Sequence, residues 1–143
     1  MNASSIVRNF DIANKIASTA VLFRKYFPDA KVNFSPWDNS KENNICDTID
    51  FSFNFPGWSP SLECRAILLQ LSIENNVANK DLKLQGVIMK GILIPKERWR
   101  VATVGKWEMT GTHLPQKAQK DNLFMVCKEL YKLFSTTSSS NNN

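Results

Sequence analysis

The chain has 143 residues, 43% of them hydrophobic and 22% charged, which is enough for one domain with its own core and excludes a wholly disordered chain. With 18 Lys and Arg against 13 Asp and Glu, the net charge of +5 permits an acidic partner without requiring one. The 3 cysteines, Cys46, Cys64 and Cys127, are far apart and odd in number, a spacing that excludes a metal knuckle or redox pair and fits a reduced, cytoplasmic setting.

Along the chain, the first periodic segment predicts a helix over Ser5 to Phe27. Ile6, Phe10, Ala13, Ala17, Ala20 and Val21 recur at three- and four-residue steps, and Lys15 lies off that stripe. Pro28 ends the helix, because the residue before a proline is pushed out of the α region. A short strand follows over Lys31 to Ser35, then a polar loop over Trp37 to Cys46. Thr48 to Phe55 is the clearest strand. Ile49, Phe51, Phe53 and Phe55 point one way while Thr48, Asp50, Ser52 and Asn54 point the other, the mark of an antiparallel sheet with one wet face.

Phe55-Pro56-Gly57-Trp58-Ser59-Pro60 reads as a stiff turn. Leu62 to Ile73 is read as a strand on the alternation of Ile67, Leu69, Leu71 and Ile73. A helix capped by Ser59 with Pro60 at its first position is the alternative. Asn75 to Asp81 is a polar connection. Leu82 to Ile94 is a strand with Gly86 and Gly91 as bulge signals. Pro95-Lys96-Glu97 is a tight connection, and Arg98 to Thr110 is a further strand bent at Gly105. A last helix runs from Pro115 to Phe134, burying Leu123, Val126, Cys127, Leu130, Leu133 and Phe134. Residues 135–143 contain only Ser, Thr and Asn and read as a disordered tail.

The order implies a single α+β domain over residues 1–134. An antiparallel sheet of four or five strands is flanked by an N-terminal and a C-terminal helix packed on one face. The other face is then open, and a homodimer through it is one way to cover it. No apolar run approaches the ~20 residues that span a bilayer, and the first ten residues lack a secretion signal, so no membrane is expected.

Catalytic, metal and cofactor signatures are missing: the chain has no phosphate loop, no nucleophile elbow and no paired His or Cys motif. His113, the sole histidine, sits at a helix start. Cys64 reads as a core residue, and Asp50 is placed to pair across strands with Arg65. Two groups of surface residues stand out. Trp58, with Pro56 and Trp37, offers aromatic contact sites for a protein partner. Lys83, Lys90, Arg98 and Arg100 belong to a basic stretch that could form a sheet surface for a phosphate backbone, although Trp99 falls on the opposite face from Arg98 and Arg100.

The run Ile49-Asp50-Phe51 through Phe55-Pro56-Gly57-Trp58-Ser59-Pro60 and Cys64-Arg65, with Trp99-Arg100, Thr103-Val104-Gly105 and Trp107, resembles a family of small uncharacterised cyanobacterial proteins. That resemblance covers most of the chain, implies a cytoplasmic protein of a photosynthetic bacterium and carries over no catalytic residue. The residues themselves point to a non-enzymatic binding or accessory protein that recognises a protein partner, without a cofactor. Single-stranded nucleic-acid binding through the basic face is the alternative.

Overall fold

The computed structural model describes residues 1–38, 48–74 and 82–135. A single 3-10 turn over Ala3–Ile6 precedes helix α1, Phe10–Tyr26. Six strands follow, β1 Lys31–Asn33, β2 Thr48–Ser59, β3 Cys64–Ile73, β4 Leu84–Leu93, β5 Lys96–Ala102 and β6 Glu108–Gly111, and helix α2, Lys117–Ser135, closes the fold. The strands form one sheet in sequence order, each antiparallel to the next. The architecture is the expected α+β layer, with six strands in place of four or five. The extra strand arises at Gly105, whose φ of +78° lets the expected Arg98–Thr110 strand fold back on itself as β5 and β6.

The alternation read in β2 holds for its apolar side, where Ile49, Phe51 and Phe53 are fully buried, whereas Asp50, read onto the wet face, is buried as well. Phe51 pairs with Leu69, Leu69 with Met89, Met89 with Val101 and Val101 with Met109, so one row of apolar side chains crosses five strands. Both helices lie on this face. Phe23 of α1 stacks on Phe53 with ring centres 3.8 Å apart, and Leu123, Val126, Cys127, Leu130 and Phe134 of α2 join the same core. Leu62–Ile73 is a strand from Cys64 onward, not the alternative helix, because both its edges are paired.

Helix α1 differs from its expected form. It starts at Phe10, where the Asn9 carboxamide accepts from the Ile12 amide at 2.9 Å and caps it. Its buried stripe is Ile12, Lys15, Ile16, Thr19, Ala20 and Phe23. Phe10 and Val21, expected inside, are 89% and 71% exposed. Three alanines had drawn the stripe off line, whereas burial of the large Ile and Phe side chains contributes more to stability.

The Phe55–Pro60 segment is not a turn. Strand β2 runs through Trp58 to Ser59 with an irregular register, and the reversal comes over Pro60–Glu63, where Glu63 adopts φ +55°. Pro56, with no amide to donate, suits a stretch of strand where the β1 ladder has stopped, since that ladder covers only Ser52 to Asn54. The glycine signals fall where the ladder slips, with register shifts at Gly91/Ile92 and opposite Gly86. A Cβ on Gly91 would lie 2.1 Å from the Trp99 ring, which crosses the sheet there and donates its indole N–H to the Leu62 carbonyl at 2.6 Å. The expected tail lies outside the described residues except Ser135, which ends α2. The Asn75–Asp81 connection and the loop beyond Asp38 also lie outside them.

Candidate functional site

The sheet face away from the helices is built from the alternate residues of each strand. Its registers define three rows. Asp50, Gln70, Ile88, Ala102 and Glu108 form one, Asn33, Ser52, Leu68, Lys90, Arg100 and Thr110 the next, and Lys31, Asn54, Ala66, Ile92 and Glu97 the third. The centre of this face is apolar: Ala66, Leu68, Ile88, Ile92 and Ala102 occupy β3 to β5, with Leu68 buried and the others half-buried. A sheet that simply faces water alternates apolar and polar residues, whereas strands covered on both sides carry continuous apolar runs. Strands β3 and β4 are of the second kind.

Several residues singled out in the sequence border this face. Trp37 is 38% exposed and donates its indole N–H to Asp50 at 2.6 Å, which holds the ring at the β2 edge. Asp50 also accepts from Thr48 at 2.8 Å, Gln70 at 3.3 Å and the Met1 amino group at 3.1 Å, so its carboxylate is fully engaged in structure. The expected partner, Arg65, is not among these groups, because the residue opposite Asp50 on β3 is Gln70. At the end where β2 turns into β3, Trp58 is 43% exposed and lies under the Arg98 guanidinium, 4.9 Å from the ring centre. Pro56 is exposed on the same strand. Arg98 donates to the Glu63 carbonyl at 2.8 Å and to its carboxylate at 2.9 Å, which holds the left-handed Glu63 backbone in place.

The basic residues divide. Lys90 and Arg100 are cross-strand partners on the open face. Arg100 also pairs with Glu97 at 3.0 Å. Lys83 precedes β4, roughly 20 Å along the strand from Lys90 at about 3.3 Å per residue, and does not join them. Trp99 is fully buried on the helix side, opposite Arg98 and Arg100 as read.

Burial pushes the Cys64 and Cys127 thiols up to about 12, so neither is a ready nucleophile. His113 is exposed and its Nδ1 lies 3.0 Å from the Thr112 hydroxyl. Between α1 and α2, Tyr26 and Lys25 bond Glu129, which holds its carboxyl below the usual range and the Tyr26 phenol above it. Among the described residues, no three His, Cys, Asp or Glu side chains gather as metal ligands would, and no helix is long and apolar enough to cross a membrane.

Sequence reasoning had placed the contact site on exposed tryptophans and cations and missed Ala66, Leu68, Ile88, Ile92 and Ala102. The signal was present in the unbroken run Ala66-Ile67-Leu68-Leu69, too apolar for a strand with one wet side. Residues 4–136 match the family model described as a domain of unknown function. No curated protein and no solved structure matches the chain.

Proposed function

The chain belongs to this family of domains of unknown function, so its role has to be read from its own surface, and we propose that it is a non-enzymatic binding or accessory protein whose helix-free sheet face docks another protein molecule. One observation carries the reading: the apolar centre formed by Ala66, Leu68, Ile88, Ile92 and Ala102 on a face that no helix covers among the described residues. Trp58, Pro56 and Trp37 frame that centre with aromatic and rigid contact surface, and Lys90 and Arg100 supply charge beside it, an apolar core with a polar rim. The setting that fits these features is the cytoplasm, as the unpaired cysteines and the cyanobacterial resemblance imply.

The test is a cross-linking pull-down with wild type, Ile92→Lys and Trp58→Ala, all checked for unchanged melting. Proteins captured by wild type and lost with both variants support the docking face. Equal recovery by all three counts against it.

A second reading, single-stranded nucleic acid, is favoured by the cross-strand placement of Lys90 and Arg100. It is weakened by the engagement of Arg98 and Arg100 with Glu63 and Glu97. It predicts salt-sensitive anisotropy of a labelled oligonucleotide that falls for Lys90→Ala with Arg100→Ala. Binding absent at low salt removes it.

A further inference from the structure

We propose that the occupant of the helix-free face is a second copy of this chain, packed sheet on sheet about a two-fold axis that runs along β3. The inference rests on the docking-face reading above and adds the identity of the partner.

An isologous interface must be complementary to itself. With the axis along β3, β1 of one copy faces β5 of the other and β2 faces β4, while each residue keeps its row. In the third row this sets Lys31 of β1 against Glu97 of β5, a cation against an anion, twice per dimer. In the middle row it sets Arg100 against the neutral Asn33 and Lys90 against Ser52, so no cation of the face meets another across the interface. On the axis itself stand Ala66, Leu68 and Gln70, two apolar residues and one neutral amide, where each meets its own counterpart. Lys31 is exposed and has no ion pair among the described residues, so it is available for the partner's Glu97.

The area lies at the lower end of what a stable dimer needs. Strands β1 to β5 are 3, 12, 10, 10 and 7 residues long. At about 4.8 Å spacing and a rise of about 3.3 Å per residue they span about 670 Å². Each partner contributes about 600–1,000 Å² to an interface of standard size. Sheets packed this way interleave side chains about 10 Å apart, which the half-buried Ile88 and Ile92 would fill.

Sedimentation equilibrium of the full chain over a wide concentration range tests the idea. The expected result is a species of twice the chain mass. Lys31→Glu and Glu97→Lys each weaken it about a hundredfold, because each change sets like charges together at two places. The double variant Lys31→Glu with Glu97→Lys restores the dimer, which a folding defect would not do. A monomer at every concentration, or a dimer indifferent to the single reversals, overturns the proposal. The broader docking-face reading falls separately, if Ile92→Lys captures the same proteins as wild type.

Discussion

One sheet here carries two faces with opposite treatment. On the covered face, Phe51, Leu69, Met89 and Val101 form a row sealed by α1 and α2. On the open face, the parallel row one residue along reads Ser52, Leu68, Lys90 and Arg100. The chain thus places apolar residues on both sides of β3 and β4, but among the described residues helices cover only one. The difference teaches where stability resides and where a surface for association lies. Truncations on the covered face should unfold the protein, and changes on the open face should leave the fold intact while altering association.

Phe53→Ala gives the sharpest contrast. Phe53 is fully buried and stacked on Phe23. Its truncation should cost roughly 3–5 kcal/mol by denaturant unfolding. Asn54→Ala, the next residue on the same strand and exposed on the other face, should stay within about 0.5 kcal/mol. Equal losses would break the comparison.

The pH dependence comes next. Cys64 and Cys127 are fully buried, and their thiols are pushed from the ordinary 9.0 up to about 12. A group whose folded value is raised contributes stability below its unfolded value and loses it as pH rises toward the folded one. Between about pH 8 and about pH 10, each thiol should therefore remove on the order of 1 kcal/mol, because only the unfolded chain releases its proton. Cys127→Val should flatten that decline by about half. An unchanged slope would show that Cys127 ionises as freely in the folded protein.

Much of this division was legible in the sequence, and the misreadings have physical causes. The alternation of β2 and the stripe of α2 were plain because their large side chains sit on one period. In α1 the alanines at 13, 17 and 20 and the exposed Phe10 and Val21 formed a rival stripe. Which one is buried was decided by Ile12, Ile16 and Phe23 packing on the sheet. Pro56 and Gly57 read as a turn, yet a strand without a neighbour on one edge tolerates both. The open apolar face escaped notice because Lys90 and Arg100 drew the eye to charge. That Ile88 lies beside Ala102 and Ile92 beside Ala66 follows only from register.

The covered face has one internal exception. Lys15 is buried on α1, its ammonium forms no hydrogen bond among the described residues, and it rests 5.7 Å from the centre of the Phe134 ring. A desolvated charge with only a ring for company costs more than an apolar side chain of similar length. Lys15→Met should raise stability by about 1 kcal/mol. A loss of that size would mean that the ammonium has a counter-charge in the folded protein.

The smallest effect separates the faces most finely. Lys90 stands directly opposite Arg100 on β5, and like charges across strands are unfavourable by about 0.2–1 kcal/mol. Glu97, 3.0 Å from Arg100, offsets part of that repulsion. Lys90→Thr removes the rest and adds a β-branched side chain suited to a strand. On a face that no helix covers among the described residues, the variant should gain up to about 0.5 kcal/mol in thermal or denaturant unfolding at low salt. The gain should shrink as salt screens the pair. A clear loss would show that Lys90 makes a contact that the fold depends on, and the open face would then belong to the folding core after all.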